Sequence, residues 1–89
     1  MSTLTLNVEP LATDVTFGES SFRIMLDDGR ELSIPIEWFS RLRKATAEQR
    51  ANWRLIGQGE GIHWPDIDED ISVRGLLAGY ADASRAAAE

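Results

Sequence analysis

Two runs of alternating apolar residues meet at one dipeptide, and that junction constrains the fold more than any other feature of the chain. Phe22, Ile24 and Leu26 alternate with Arg23, Met25 and Asp27, the period of a half-buried strand, and Leu32, Ile34 and Ile36 take up the pattern again after Asp28-Gly29. Asp-Gly supplies the positive φ angles of a tight type I′ turn, so the two runs are predicted to form an antiparallel hairpin. Val15 and Phe17 alternate with Asp14, Thr16 and Gly18 in the same way and add a third strand.

Beyond Pro35 the period changes. Trp38, Phe39 and Leu42 are spaced three and four apart, which predicts one face of a short helix with Arg41, Arg43 and Lys44 pointing elsewhere. Thr46 and Gln49 form a capping box for a second short helix through Ala51. Residues 53–56 and 62–64 are β-prone and flank Gly57-Gln58-Gly59-Glu60-Gly61, so they are predicted to pair, with Pro65 ending the second run. An acidic turn follows. Ser72 then N-caps a last helix carrying Val73, Leu76, Leu77 and Tyr80, with Asp68, Glu69 and Asp70 just upstream favouring its positive end. The expected fold is α+β, a small antiparallel sheet of about five strands with two to three short helices.

With 89 residues the chain has room for one domain, expected over residues 1–80, and an Ala-rich tail over 81–89. The composition is that of a globular domain, 43% hydrophobic and 27% charged. At this size the buried core is modest, so a partner or a second copy of the chain would add stability. Zero cysteines and one histidine exclude a disulfide framework, a thiolate nucleophile and a Cys-containing zinc site. The start lacks the basic and apolar regions of a signal peptide, and no apolar run approaches the about 18 residues of a membrane span. A cytoplasmic protein without a membrane role is therefore expected.

Three constellations invite chemistry, and each departs from its template. In the glycine-rich stretch the third glycine of a dinucleotide fingerprint would stand where Ile62 is, no helix opens there, and no Gly-Lys-Ser/Thr follows. That stretch reads as a structural turn. Asp66, Asp68 and Asp70 have the alternating spacing of a calcium loop, but Ile71 occupies its glycine position and Leu77 its bidentate glutamate position. No metal and no cofactor are expected. His63, with Glu60 and Asp66 nearby, suggests a His-carboxylate acid/base pair, yet no Gly-x-Ser-x-Gly elbow or activated serine accompanies it. A strand histidine would also face away from Ile62 and Trp64, as a partly exposed structural or interface residue.

Charge is distributed in two blocks. Arg41, Arg43, Lys44, Arg50 and Arg54 stand against Glu48 alone, and Glu60, Asp66, Asp68, Glu69 and Asp70 crowd the segment that follows. The basic block admits either RNA binding or an internal salt-bridge network. A net charge of −6 makes nucleic-acid binding by the isolated chain a poor expectation. Trp38, Trp53 and Trp64 are many large aromatics for so small a core, and any one left exposed would anchor an interface.

The run Trp53-Arg54-Leu55-Ile56-Gly57, then Gly59-Glu60-Gly61-Ile62-His63-Trp64-Pro65-Asp66-Ile67-Asp68-Glu69-Asp70-Ile71-Ser72-Val73, with Leu76, Leu77 and Gly79 beyond, resembles the bacterial family of unknown function DUF2442. The resemblance covers roughly Val8 to Tyr80, including the Asp27-Asp28-Gly29 hairpin. It implies a compact α+β domain of bacterial origin, similar to the antitoxin half of a two-gene toxin–antitoxin pair. Some similar proteins add a helix-turn-helix DNA-binding domain, which is not expected here because the chain ends soon after the matching region. The resemblance carries over no catalytic residues.

These readings converge on a non-enzymatic interaction module, an antitoxin by resemblance. Its expected surface is Glu60, His63, Trp64, Asp66, Asp68, Glu69 and Asp70, presented to a basic protein partner such as a toxin. The alternatives are a small-ligand binder or enzyme using His63, Trp64, Asp66 and Asp68, and an RNA-binding module using Arg41 to Arg54.

Overall fold

The computed structural model describes residues 9–79. Within them six strands form two three-stranded antiparallel meanders. β1 (Ala12–Phe17), β2 (Ser21–Leu26) and β3 (Glu31–Pro35) make the first, and β4 (Arg54–Ile56), β5 (Gly61–Trp64) and β6 (Glu69–Ser72) the second. Between the sheets lie a 3₁₀ turn, Ile36–Trp38, and two short helices, α1 (Ser40–Lys44) and α2 (Ala47–Ala51), and α3 (Val73–Leu77) follows β6. The α+β class holds, with a sixth strand and the strands divided between two sheets. Tyr80 and the Ala-rich residues 81–89 lie outside the described residues.

The β2–β3 hairpin forms with a different turn. Leu26 N–H donates to the Arg30 carbonyl at 2.9 Å, and in the connection only Gly29, at φ 95°, is left-handed. A type I′ turn needs two such residues and Asp28 is not one, so the loop lengthens to three residues with the glycine last. Arg30 Nε donates to Asp28 Oδ2 at 2.9 Å, and this hydrogen bond holds the Asp28 carboxyl below the usual carboxylate range. Phe22 faces Ile34 and Ile24 faces Leu32 across the ladder, which carries Phe22, Ile24 and Leu26 to the core.

The helical stretch is broken at Phe39, whose backbone is extended at φ −127° and ψ 105°. The capping box of α2 is formed in both directions, Gln49 N–H to Thr46 Oγ1 at 3.1 Å and Thr46 N–H to Gln49 Oε1 at 3.0 Å. At the last helix Ser72 Oγ accepts from Gly75 N–H at 2.8 Å, as an N-cap does.

The two sheets share one core. Phe17 stacks on Phe22 at 5.3 Å, and Trp64 from β5 meets both rings edge-on at 6.3 Å. Trp64, Phe22, Ile24, Leu42, Ile62 and Val73 are fully enclosed. The glycine-rich connection between β4 and β5 touches the first sheet: Ala12 N–H donates to the Gly59 carbonyl at 2.8 Å. Gly59 sits at φ 120°, and a Cβ there would lie 2.4 Å from the Ala12 carbonyl oxygen. A side chain at Gly61 would meet the Ile71 carbonyl at 2.9 Å. Both glycines answer a packing demand, which accounts for the motif without a phosphate.

The acidic stretch divides: residues 65–68 form the expected turn, and Glu69–Ser72 are a strand. Glu69, Asp70 and Ile71 pair with Trp64, His63 and Ile62, so Glu69 and Ile71 face inward and Asp70 and Ser72 outward. Glu69 and Asp70 are thus committed to the ladder rather than placed to attend the start of α3. Among the described residues no helix is long and apolar enough to cross a membrane.

Candidate functional site

Three acidic side chains, Glu60, Asp66 and Asp70, are exposed yet hydrogen-bonded within the fold, and Asp68 is held through its backbone. Glu60 Oε1 accepts from Gln58 N–H at 2.8 Å. Asp66 Oδ2 accepts from Asn52 Nδ2 at 3.0 Å, and the Asp68 carbonyl, on a left-handed residue at φ 54°, accepts from Arg41 Nη1. His63 Nδ1 hydrogen-bonds the Asp70 carboxylate directly across the β5–β6 ladder, with Arg54 opposite on β4. The partner of His63 is therefore Asp70, set by strand register, and neither Glu60 nor Asp66. His63 does point away from Ile62 and Trp64, as strand alternation requires.

Two residues leave the expected surface altogether. Trp64 has no exposed area and donates its Nε1–H to the Arg50 carbonyl at 3.0 Å. Glu69 is 8% exposed, on the inward face of β6 opposite Trp64. Among the described residues no three His, Asp or Glu side chains converge where they could hold a metal ion.

The basic segment behaves differently. Arg41 is engaged by the Asp68 carbonyl, and Arg50 donates from Nε to the Leu42 carbonyl at 2.9 Å and from Nη2 to the Arg43 carbonyl at 3.1 Å. Those are carbonyls of the last turn of α1, so Arg50 closes that helix end from outside. Its guanidinium also lies 5.8 Å from the Phe17 ring centre. None of the ion pairs among the described residues includes Arg43, Lys44, Arg50 or Arg54.

Beside Arg50 a cleft of about 290 Å³ opens between β1 and α2. Val15, Phe17 and Gly18 line it from β1 and the residue after it, Ala47, Arg50 and Ala51 from α2, and Trp53 from the residue before β4. Ala47 and Ala51 are four apart on the short helix and share a face; their small side chains leave the space that larger ones would fill. That alanine pair is the sequence signal for the cleft, and the period of the large apolar residues does not register it. Arg50 is the one ionisable residue in the lining, and His63, Asp66 and Asp68 lie outside it.

The family described as protein of unknown function, DUF2442, matches residues 12–82. A protein of unknown function from Rhodospirillum rubrum ATCC 11170, known from a crystal structure, is similar with a TM-score of 0.76 and 28% identity, over 88% of this chain and 96% of that one. An uncharacterized protein from Chromobacterium violaceum, solved by NMR in solution, has the same fold with a TM-score of 0.74 and 24% identity, over 96% of this chain and 79% of that one. None of the curated proteins matches the chain.

Proposed function

This chain belongs to DUF2442, a family of proteins of unknown function, and from that premise we propose that it is a non-enzymatic protein-interaction module whose anchor site is the cleft between β1 and α2. The observation that carries this reading is the lining: half-buried Phe17 and Trp53 with a tethered Arg50, and no acid, base or nucleophile. Aromatic and arginine side chains around a small pocket are what dominate binding energy at protein interfaces. The volume, about 290 Å³, lies just under the roughly 300–1,000 Å³ of small-molecule sites and suits one anchoring side chain.

An enzyme built on His63, Asp66 and Asp68 is less well supported, because His63 bonds Asp70, Asp66 bonds Asn52, and Asp68 meets Arg41 through its backbone carbonyl. The RNA reading is weakened by the internal bonds of Arg41 and Arg50. Within the proposal, the role of antitoxin rests on the family resemblance, and the net charge of −6 favours encounter with a partner that is basic overall.

Co-expression with the product of the adjoining gene tests the reading. A stable complex that is lost on Ala47→Glu, at an exposed position of α2, is expected. Absence of any complex, or a complex indifferent to that substitution, contradicts it.

A further inference from the structure

Building on the interaction-module reading, we infer that the cleft takes an acidic linear segment of the partner, one large apolar side chain seated against Phe17 and Trp53 and a neighbouring carboxylate on the Arg50 guanidinium. The cleft's charge comes from Arg50 itself. It is only partly exposed, it lines an apolar cleft, and no carboxylate pairs with it among the described residues. Glu48, the one acid of the segment, stands two residues away on α2, a spacing that does not put two side chains on one face.

A guanidinium has five N–H donors, and the Leu42 and Arg43 carbonyls take two of them. These carbonyls and the Phe17 ring fix the group, so a carboxylate meets a cation already held in place and loses little side-chain freedom to it. Arg43 and Lys44, in the turn that Arg50 closes, add exposed positive charge without ion-pair partners among the described residues. Low-dielectric walls concentrate the resulting field in the cleft. A phosphate backbone would find the cations but no use for the apolar walls.

The test uses three end-capped synthetic peptides and NMR of the full chain. One places a leucine between two glutamates; the second replaces the glutamates with lysines, the third the leucine with glycine. The first should shift the Trp53 indole and the Ala47 and Ala51 amides, the other two should bind about tenfold more weakly or worse, and Ala47→Glu should abolish the shifts. Equal binding of the lysine peptide, shifts centred away from the cleft, or stronger perturbation of the same residues by an oligouridylate each overturn the inference. Failure of the peptide while Ala47→Glu still breaks the complex with the adjoining gene product also overturns it, and leaves the interaction reading standing.

Discussion

Residues 41–54 and 60–70 carry charge at similar density and opposite sign, and both keep most of it exposed, yet the fold builds different surroundings for each. The acidic segment is woven into the second sheet: Trp64 and Glu69 face the interior, Asp70 meets His63, Asp66 meets Asn52, and the Asp68 carbonyl holds Arg41. The basic segment contributes Arg41 and Arg50 to the scaffold but leaves Arg43, Lys44 and Arg54 exposed and Arg50 beside an apolar opening. A charge block read from sequence is therefore not a surface until the contacts of each member are known. Here Glu69 is buried, Glu60, Asp66 and Asp70 are exposed but hydrogen-bonded within the fold, Asp68 is held through its backbone, and the cleft has a cation.

The contrast breaks most visibly at Trp64. Truncation to alanine should cost about 3–5 kcal/mol, because an enclosed indole is removed and the Arg50 carbonyl loses its donor. Urea denaturation would show it, and a loss below about 1 kcal/mol would return Trp64 to the surface. Within the basic segment, Arg50→Ala should cost about 2 kcal/mol through two carbonyl bonds and the Phe17 contact. Exposed Arg43, changed to alanine, should stay within about 0.5 kcal/mol, and equal costs for the two arginines would erase the distinction drawn between them.

The scaffold was legible where period and turn chemistry agree. Phe22, Ile24, Leu26 and Ile34, the Thr46 capping box and the Ser72 cap all stand where the pattern puts them. β6 was not read because Glu69 and Asp70 are poor strand formers in isolation; its two-residue period is plain once Trp64, His63 and Ile62 supply a ladder to complete. His63 found Asp70 seven residues away, a pairing that depends on register rather than on sequence proximity. The cleft escaped because it is made by what Ala47 and Ala51 lack.

Smaller effects sharpen the same comparison. Asp66→Asn with Asp68→Asn should cost under about 1 kcal/mol in a thermal melt, since one exposed acceptor for Asn52 is weakened and the Asp68 contact is made by its backbone. Asparagine also tolerates the left-handed backbone at Asp68. Smallest of all is Asp28, outside both segments. Arg30 lowers its carboxyl pKa, so the pair adds stability above the normal carboxylate pKa and loses it as the pH falls through the lowered value. Asp28→Asn should flatten that acid limb slightly and leave stability at neutral pH nearly unchanged, since the pair is exposed. A large loss at neutral pH would show that the turn depends on the pair.

If the cleft beside Arg50 holds the partner, the exposed Asp66 and Asp68 carboxylates are dispensable for binding and the Ala47 position is not. One titration separates these, with the glutamate–leucine peptide added to the parent chain, to the Asp66→Asn, Asp68→Asn double variant and to Ala47→Glu. Affinity within about twofold of the parent is expected for the double variant, and at least about tenfold weaker binding for Ala47→Glu. Loss of binding in the double variant with Ala47→Glu unaffected would place the interface on the acidic segment and contradict the account.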